Sequence, residues 1–140
     1  MNEVLDKQLC ERYPKIFADR HKPMTETAMC WGFDIGDGWY QIIDSLCNQI
    51  QHHIDWKNRD GGKVAQVVAT QVKEKFGGLR FYYNGGDDYV DGMVRMAESW
   101  AANTCETCGK PGKLRGGGWL YTACDEHTKP EHLNVEVDDE

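Results

Sequence analysis

The sequence predicts an α+β fold with a small metal-stapled module at its C-terminal end, on three observations. First, Trp39, Ile42, Ile43, Leu46, Cys47, Ile50 and Ile54 recur at the spacing of one buried helix face. Second, Val64 to Tyr83 is rich in β-branched and aromatic residues and is interrupted by Gly77-Gly78, the composition of a hairpin. Third, Cys105-x2-Cys108 and Cys124-x2-His127 make two close pairs of metal ligands. Two amphipathic helices packed on a β-hairpin, followed by a zinc-ribbon or treble-clef-like module, accommodate all three. The implied organisation is an α+β domain over 1–104, a zinc-binding module over 105–132 and an acidic tail over 133–140.

The elements follow in order. Residues 2–13 suit a short helix with Val4, Leu5, Leu9 and Cys10 partly sharing a face, and Pro14 bounds it. Residues 18–38 hold Pro23, Gly32, Gly36 and Gly38 with no sustained period and read as loop. The long helix runs from Trp39 to Ile54, with Asp37 as its N-cap or first-turn acid. Asp60-Gly61-Gly62 ends the connection after it.

In the first hairpin strand, Val68, Thr70, Val72 and Phe76 alternate. In the returning strand Leu79, Phe81 and Tyr83 share one face, with Arg80 and Tyr82 on the other. A second helix over about 88–103 carries Val90, Met93, Val94, Ala97, Trp100 and Ala101 as its apolar face. Strand-like pieces at 113–115 and 119–123 flank Gly116-Gly117-Gly118. The core expected from these patterns unites Trp39, Ile43, Leu46, Ile50, Phe81, Val94 and Trp100.

The ligand pattern is the most specific feature. Two-residue gaps let each pair curl around one ion, and Gly109 follows the first pair as a knuckle prefers. The fifteen residues between Cys108 and Cys124 suit a hairpin with the triple glycine at its tip. Three thiolates and an imidazole form the donor set of tetrahedral zinc. Four good ligands close the site, which makes the zinc structural; catalytic zinc keeps a position open. His132 is a rival fourth ligand, but the spacing of His127 mirrors the first pair. A small β-rich tail with little core of its own needs such a staple. Pro130 allows only a short helix after the second pair, so ribbon and treble clef both stay open.

Composition bounds the function. The chain has 140 residues, 40% hydrophobic and 28% charged, enough for a real core. A net charge of −7 argues against general binding of phosphate backbones. No apolar run approaches the roughly 20 residues of a membrane span. The N-terminal segment lacks a signal-peptide core, so a cytoplasmic location is expected, with Cys10, Cys30 and Cys47 as free thiols.

Other clusters have bland readings. Lys73, Lys75 and Arg80 beside Tyr82 and Tyr83 read as a solvated strand face. His52-His53 reads as a helix C-terminal pair. Asp87, Asp88 and Asp91 read as helix-start acids. No P-loop, nucleophile elbow or paired glycosidase carboxylates can be picked out, and Gly36-x-Gly38 is too short for a nucleotide fingerprint.

The segment VKEKFGGLRFYY, the helix that follows it and the ending TCETCGKPG…GWLYTACDEH resemble a group of small proteins encoded by bacteriophages and prophages. The resemblance spans about Phe33 to His127. It implies a compact accessory protein acting in a bacterial host's cytoplasm by binding and inhibiting a host protein complex, defence systems such as CRISPR effectors included. The expected contact elements are Asp87, Asp88, Asp91 and Trp119. Trp119, beside the glycine tip, can either pack on the zinc knuckle or anchor a partner, and packing is the favoured expectation. Two other functions stand beside this one. A nucleic-acid-binding zinc module would use Lys110, Lys113 and Arg115, and an enzyme would need a catalytic constellation of its own.

Overall fold

The structure, a computed structural model, describes residues 1–137. Within them the fold is α+β. Three α-helices are α1 (Glu3–Arg12), α2 (Tyr40–Arg59) and α3 (Asp88–Ala101). Five strands are β1 (Phe33–Asp34), β2 (Val68–Lys75), β3 (Gly78–Asn84), β4 (Lys113–Gly116) and β5 (Leu120–Ala123). They form a three-stranded sheet in the order β1-β2-β3 and a separate β4-β5 hairpin. Of the acidic tail, Asp138, Asp139 and Glu140 lie outside the described residues.

α1 begins where Asn2 accepts the Leu5 N–H through its side chain, and it ends just before Pro14. Leu9 is its buried residue, while Val4 is exposed. Arg12 and the Tyr13 hydroxyl both bond the Asp44 carboxylate, which ties α1 to α2. α2 extends five residues past the last apolar position predicted for it, and Ile42, Ile43, Leu46, Cys47, Ile50 and Ile54 are all buried. Asp37 does not cap it. Its carboxylate instead accepts from the Asn2 backbone and side-chain N–H groups, and Trp39 occupies the N-cap position.

The loop predicted over 18–38 conceals a strand. β1 pairs in parallel with β2, Phe33 beside Val72 and Asp34 beside Lys73. Two residues are too few to show a period of two, so only the pairing reveals them. The predicted alternation along β2 also fails, because a β-bulge at Thr70 separates the Ala69–Tyr83 and Gln71–Tyr82 pairs. Val67 and Ala69 face the core before it and Val72 after it, since one extra residue reverses the alternation. Leu79 and Phe81 of β3 are buried as predicted.

The hairpin turn sits one residue earlier than the glycine pair suggests. Lys75 pairs with Gly78, so the two-residue loop is Phe76-Gly77, with φ of +55° and +81°. Positive φ at both positions is the turn that matches strand twist. Phe76 is the one non-glycine residue at positive φ among the described residues.

The core joins Leu9, Trp39, Ile43, Ile50, Val67, Val72, Leu79, Phe81, Val90 and Val94. Trp100 was expected there and is 45% exposed. Val90, Val94, Ala97 and Ala101 centre the buried arc, and at about 100° per residue Trp100 lies roughly 90° away. Leu46, 5% exposed, sits in this core. Leu46→Ala is expected to cost about 2–5 kcal/mol by urea unfolding, a cavity cost. A change below about 1 kcal/mol would mean that the site collapses around the deletion.

Candidate metal centre

The C-terminal module is built around a knuckle. After α3 the chain turns at Thr104, which pairs with Pro111 across the loop. The Cys105 N–H donates to the Lys110 carbonyl at 2.7 Å and the Gly109 N–H returns to the Cys105 carbonyl at 2.9 Å. Gly109 takes φ of +82°, a conformation glycine adopts without a Cβ penalty. β4 and β5 follow, and Cys124 leads into a single 3-10 turn, Asp125–His127.

This brings the predicted ligands together. The ligand atoms of Cys105, Cys108, Cys124 and His127 all lie within 4.8 Å of one another. Cys108 Sγ is 3.7 Å from Cys124 Sγ. His127 presents Nδ1, which is 3.7 Å from Cys105 Sγ and 3.2 Å from Cys124 Sγ. Metal–sulfur bonds of about 2.3 Å and metal–nitrogen bonds of about 2.0–2.1 Å give tetrahedron edges of about 3.8 Å between sulfurs and about 3.6 Å between sulfur and nitrogen. The cluster has the right size and donor chemistry to hold one metal ion.

The electrostatics ask for a cation. Burial pushes the Cys105 thiol up, but backbone hydrogen bonds from Cys124, Cys108 and Thr107 outweigh it and bring the thiol down to about 6. Cys108 moves the other way. The Lys110 backbone N–H lowers it, but desolvation and the neighbouring sulfurs of Cys124 and Cys105 leave it above its ordinary value. Sulfurs this close cannot all ionise without a counter-charge. A divalent ion supplies that charge and binds the deprotonated forms.

Arg115 holds the second ligand pair in place. It is buried at 2% exposure, donates to the Ala123 carbonyl at 3.2 Å and reaches the Asp125 carboxylate at 2.7 Å. Asp125 stands between Cys124 and His127, so the guanidinium braces the ligand-bearing turn. Thr128 adds a hydroxyl bond to the Cys124 carbonyl. Arg115 is therefore not a free surface cation, and Lys110 pairs with Glu126 at 3.5 Å. Of the three hairpin cations that suggested nucleic-acid binding, Lys113 alone has no ion pair among the described residues.

The centre docks on the larger domain through contacts that the sequence does not announce. The Gly38 N–H donates to the Glu106 carbonyl, and the buried Trp39 indole donates to the Thr104 carbonyl, both at 2.9 Å. A Cβ on Gly36 would stand 2.0 Å from the Glu106 carbonyl oxygen, and one on Gly38 would stand 2.2 Å from that of Cys105. Gly36-x-Gly38 is thus the floor on which the knuckle rests. Thr122, buried in β5, bonds the Gly77 carbonyl at 2.6 Å and fixes the β4–β5 hairpin to the tip of the β2–β3 hairpin.

No family model, curated protein or solved structure matches the chain.

His132 stands outside the cluster. Its Nδ1 lies 2.6 Å from the Tyr121 hydroxyl, which fastens the last turn over β5. His127→Ala is accordingly expected to release the metal and His132→Ala to retain it, as measured by metal content per chain. The opposite pattern would move the fourth ligand to His132.

The other predicted site residues separate. Asp87 is the N-cap of α3, accepting the Val90 N–H at 3.0 Å, and bonds His53 Nε2 at 2.8 Å. His53 hydrogen bonding first, then the Val90 N–H, hold its carboxyl below the ordinary value against desolvation. Asp91 accepts from the Tyr83 hydroxyl, and Asp88 is exposed. His52-His53 lies within α2 rather than at its end, and His53 is buried. Trp119 does not pack on the knuckle; it is 78% exposed.

Trp119 borders a groove of about 840 Å³ between the two hairpin tips, with Phe76 on the opposite hairpin, 69% exposed. Ile35 and Leu120 line it, with Lys73 and Lys75 set against Asp34, Glu74 and Glu106. The sequence places Phe76 in the alternation of the first strand, whereas it stands in the turn and on the groove; a bulky residue just before a turn glycine was the available signal. Among the described residues no helix is long and apolar enough to cross a membrane.

Proposed function

We propose that the chain is a zinc-stapled binding protein, and that the groove between Phe76 and Trp119 receives a protein partner. The observation that carries this reading is the pair of exposed aromatics on two hairpin tips that the metal module locks together. Phe76 at positive φ costs about 1–3 kcal/mol of backbone strain, and at 69% exposure little burial offsets it. Strain and exposure in one residue favour a contact made outside the chain. Four of the five tryptophans are exposed, Trp119 most of all, and aromatic anchors dominate protein interfaces.

Zinc is the metal the Cys3His donor set fits best, and four protein donors leave no open position for chemistry. The second ligand pair opens one 3-10 turn and Pro130 begins another, which favours a ribbon-like module over a treble clef. The groove's charges sum to no positive excess, so a protein surface suits it better than a phosphate backbone. The resemblance to phage-encoded proteins makes a bacterial complex, defence effectors included, the partner class to search, with inhibition by stoichiometric binding as the mode of action. An acidic chain can approach a positively charged groove on such a target with electrostatic help.

Capture from a bacterial lysate with the tagged chain tests this. The wild type is expected to retain a partner at a fixed ratio, and binding should weaken with rising salt. The Phe76→Ala, Trp119→Ala double variant should lose the partner while keeping its metal and its melting temperature. Undiminished capture by that variant would overturn the groove assignment. Salt-sensitive retardation of generic DNA or RNA would favour the nucleic-acid reading, and substoichiometric action with a covalently altered target would reveal an enzyme.

A further inference from the structure

The tip of the β2–β3 hairpin is cationic in an acidic chain. Lys75 and Arg80 lie on the sheet face opposite the core: Arg80 stands across from Lys73, two residues from Lys75, while Val72 and Phe81 fill the buried face. Arg80 bends its guanidinium over Gly78, with Nη1 3.1 Å from where a Cβ would stand and 3.3 Å from the Leu79 carbonyl to which it donates. The Lys75 ammonium lies 5.6 Å from the centre of the Phe76 ring. Lys113 reaches the same tip from β4, lining a groove of about 530 Å³ with Phe76 and Gly78.

Lys75, Arg80 and Lys113 form no ion pair among the described residues. The acids close in register stand elsewhere. Glu74 is across from the buried Leu79, on the other face, and Asp34 is beside Lys73.

The chain itself delivers acid to this place. Arg115 Nη1 reaches the Leu133 carbonyl at 3.5 Å, and Val135, Glu136 and Val137 then line the groove at the hairpin tip. Val137 is half-buried. Asp138, Asp139 and Glu140 follow it, outside the described residues. Three residues extend about 10 Å, enough to carry carboxylates from the groove to the cations at its rim. An acidic segment of another molecule would have to approach against a net charge of −7, whereas the tail is already tethered there.

We propose that Asp138, Asp139 and Glu140 fold back over Lys75, Arg80 and Lys113, and that this docked tail competes with the partner for the hairpin tip. Exposed ion pairs are individually weak, but tethering makes their formation intramolecular, at high effective concentration. The contact is therefore one that a partner can displace. The competition rests on the groove reading above, because Phe76 and Lys75 line that groove as well; the docking does not.

Backbone nitrogen-15 relaxation on the full metal-loaded chain tests the docking. At low salt the amides of 138–140 are expected to show order parameters above about 0.6, the limit of flexible backbone. They should fall below it in the tail variant Asp138→Asn, Asp139→Asn, Glu140→Gln, and in the tip variant Lys75→Gln, Arg80→Gln, Lys113→Gln. About 1 M salt, with a screening length of about 3 Å, should do the same to the wild type. The tip variant should keep its metal and melting temperature, since none of the three cations is buried. A wild-type tail as mobile as the tail variant's, or a tail that stays ordered in the tip variant, would overturn the docking. In the lysate capture the tail variant is expected to retain about 1.5- to 5-fold more partner than the wild type, the worth of one exposed ion pair. Equal retention would overturn the competition. No retention by either form would sink the groove reading and the competition with it, while the relaxation result still decides the docking.

Discussion

Cys108→Ser is expected to strip the metal and unfold the C-terminal module while leaving the larger domain standing. Among the described residues the module has almost no hydrophobic core of its own, only Cys105, Ala123 and Cys124 with Tyr121 packed on them. Three of those four are ligands or flank one, so removing the ion removes what organises them. In small zinc domains the metal contributes on the order of 10 kcal/mol, which no cluster of this size could replace. Cys108 is itself exposed, so the substitution deletes a ligand without opening a cavity. Hydrogen exchange should show lost protection over 105–127 and retained protection in α2, β2 and β3. Protection unchanged throughout, with metal still bound, would mean that three ligands suffice.

Trp39→Ala should produce the largest destabilisation of the α+β domain. The side chain is fully buried at the junction of α2 with the knuckle, and its indole N–H satisfies the Thr104 carbonyl. Removing a buried tryptophan costs about 3–5 kcal/mol, and leaving a buried carbonyl unpaired adds about 1–3 kcal/mol. Trp39→Phe separates the two terms, because it keeps most of the volume and loses the hydrogen bond. It should fall well short of the alanine variant in urea unfolding, and it should lower the metal's affinity by loosening the docked knuckle. Equal costs for both variants would place the whole effect in the hydrogen bond.

Features carried by a repeating period or a fixed spacing were legible in the sequence. The apolar series of α2 survives intact because seven residues repeat the helical period and every one packs. The four ligands were legible because chelation demands short gaps, and the fold closes the distance between the pairs. What stayed hidden depends on single encounters between distant segments. β1 exists only because β2 lies beside it. The bulge at Thr70 reverses an alternation that the residue types alone support. Gly36 and Gly38 look like loop glycines until the backbone of Cys105 and Glu106 is seen against them. Arg115 reads as a surface cation and is instead buried beneath the ligand turn. Trp100 counted towards the apolar face of α3 by its chemistry, and a shift of one quarter-turn exposes it. Asp87 was read correctly as a helix-start acid, but its bond to His53 ties two helices that are distant in sequence.

The most direct test of the account is X-ray absorption at the zinc edge on the full chain purified without chelator. A closed Cys3His centre predicts one zinc per chain, with three sulfur neighbours at about 2.3 Å and one nitrogen at about 2.0–2.1 Å. Absence of zinc, or a first shell with fewer sulfurs and a water oxygen, would contradict a closed structural site at Cys105, Cys108, Cys124 and His127.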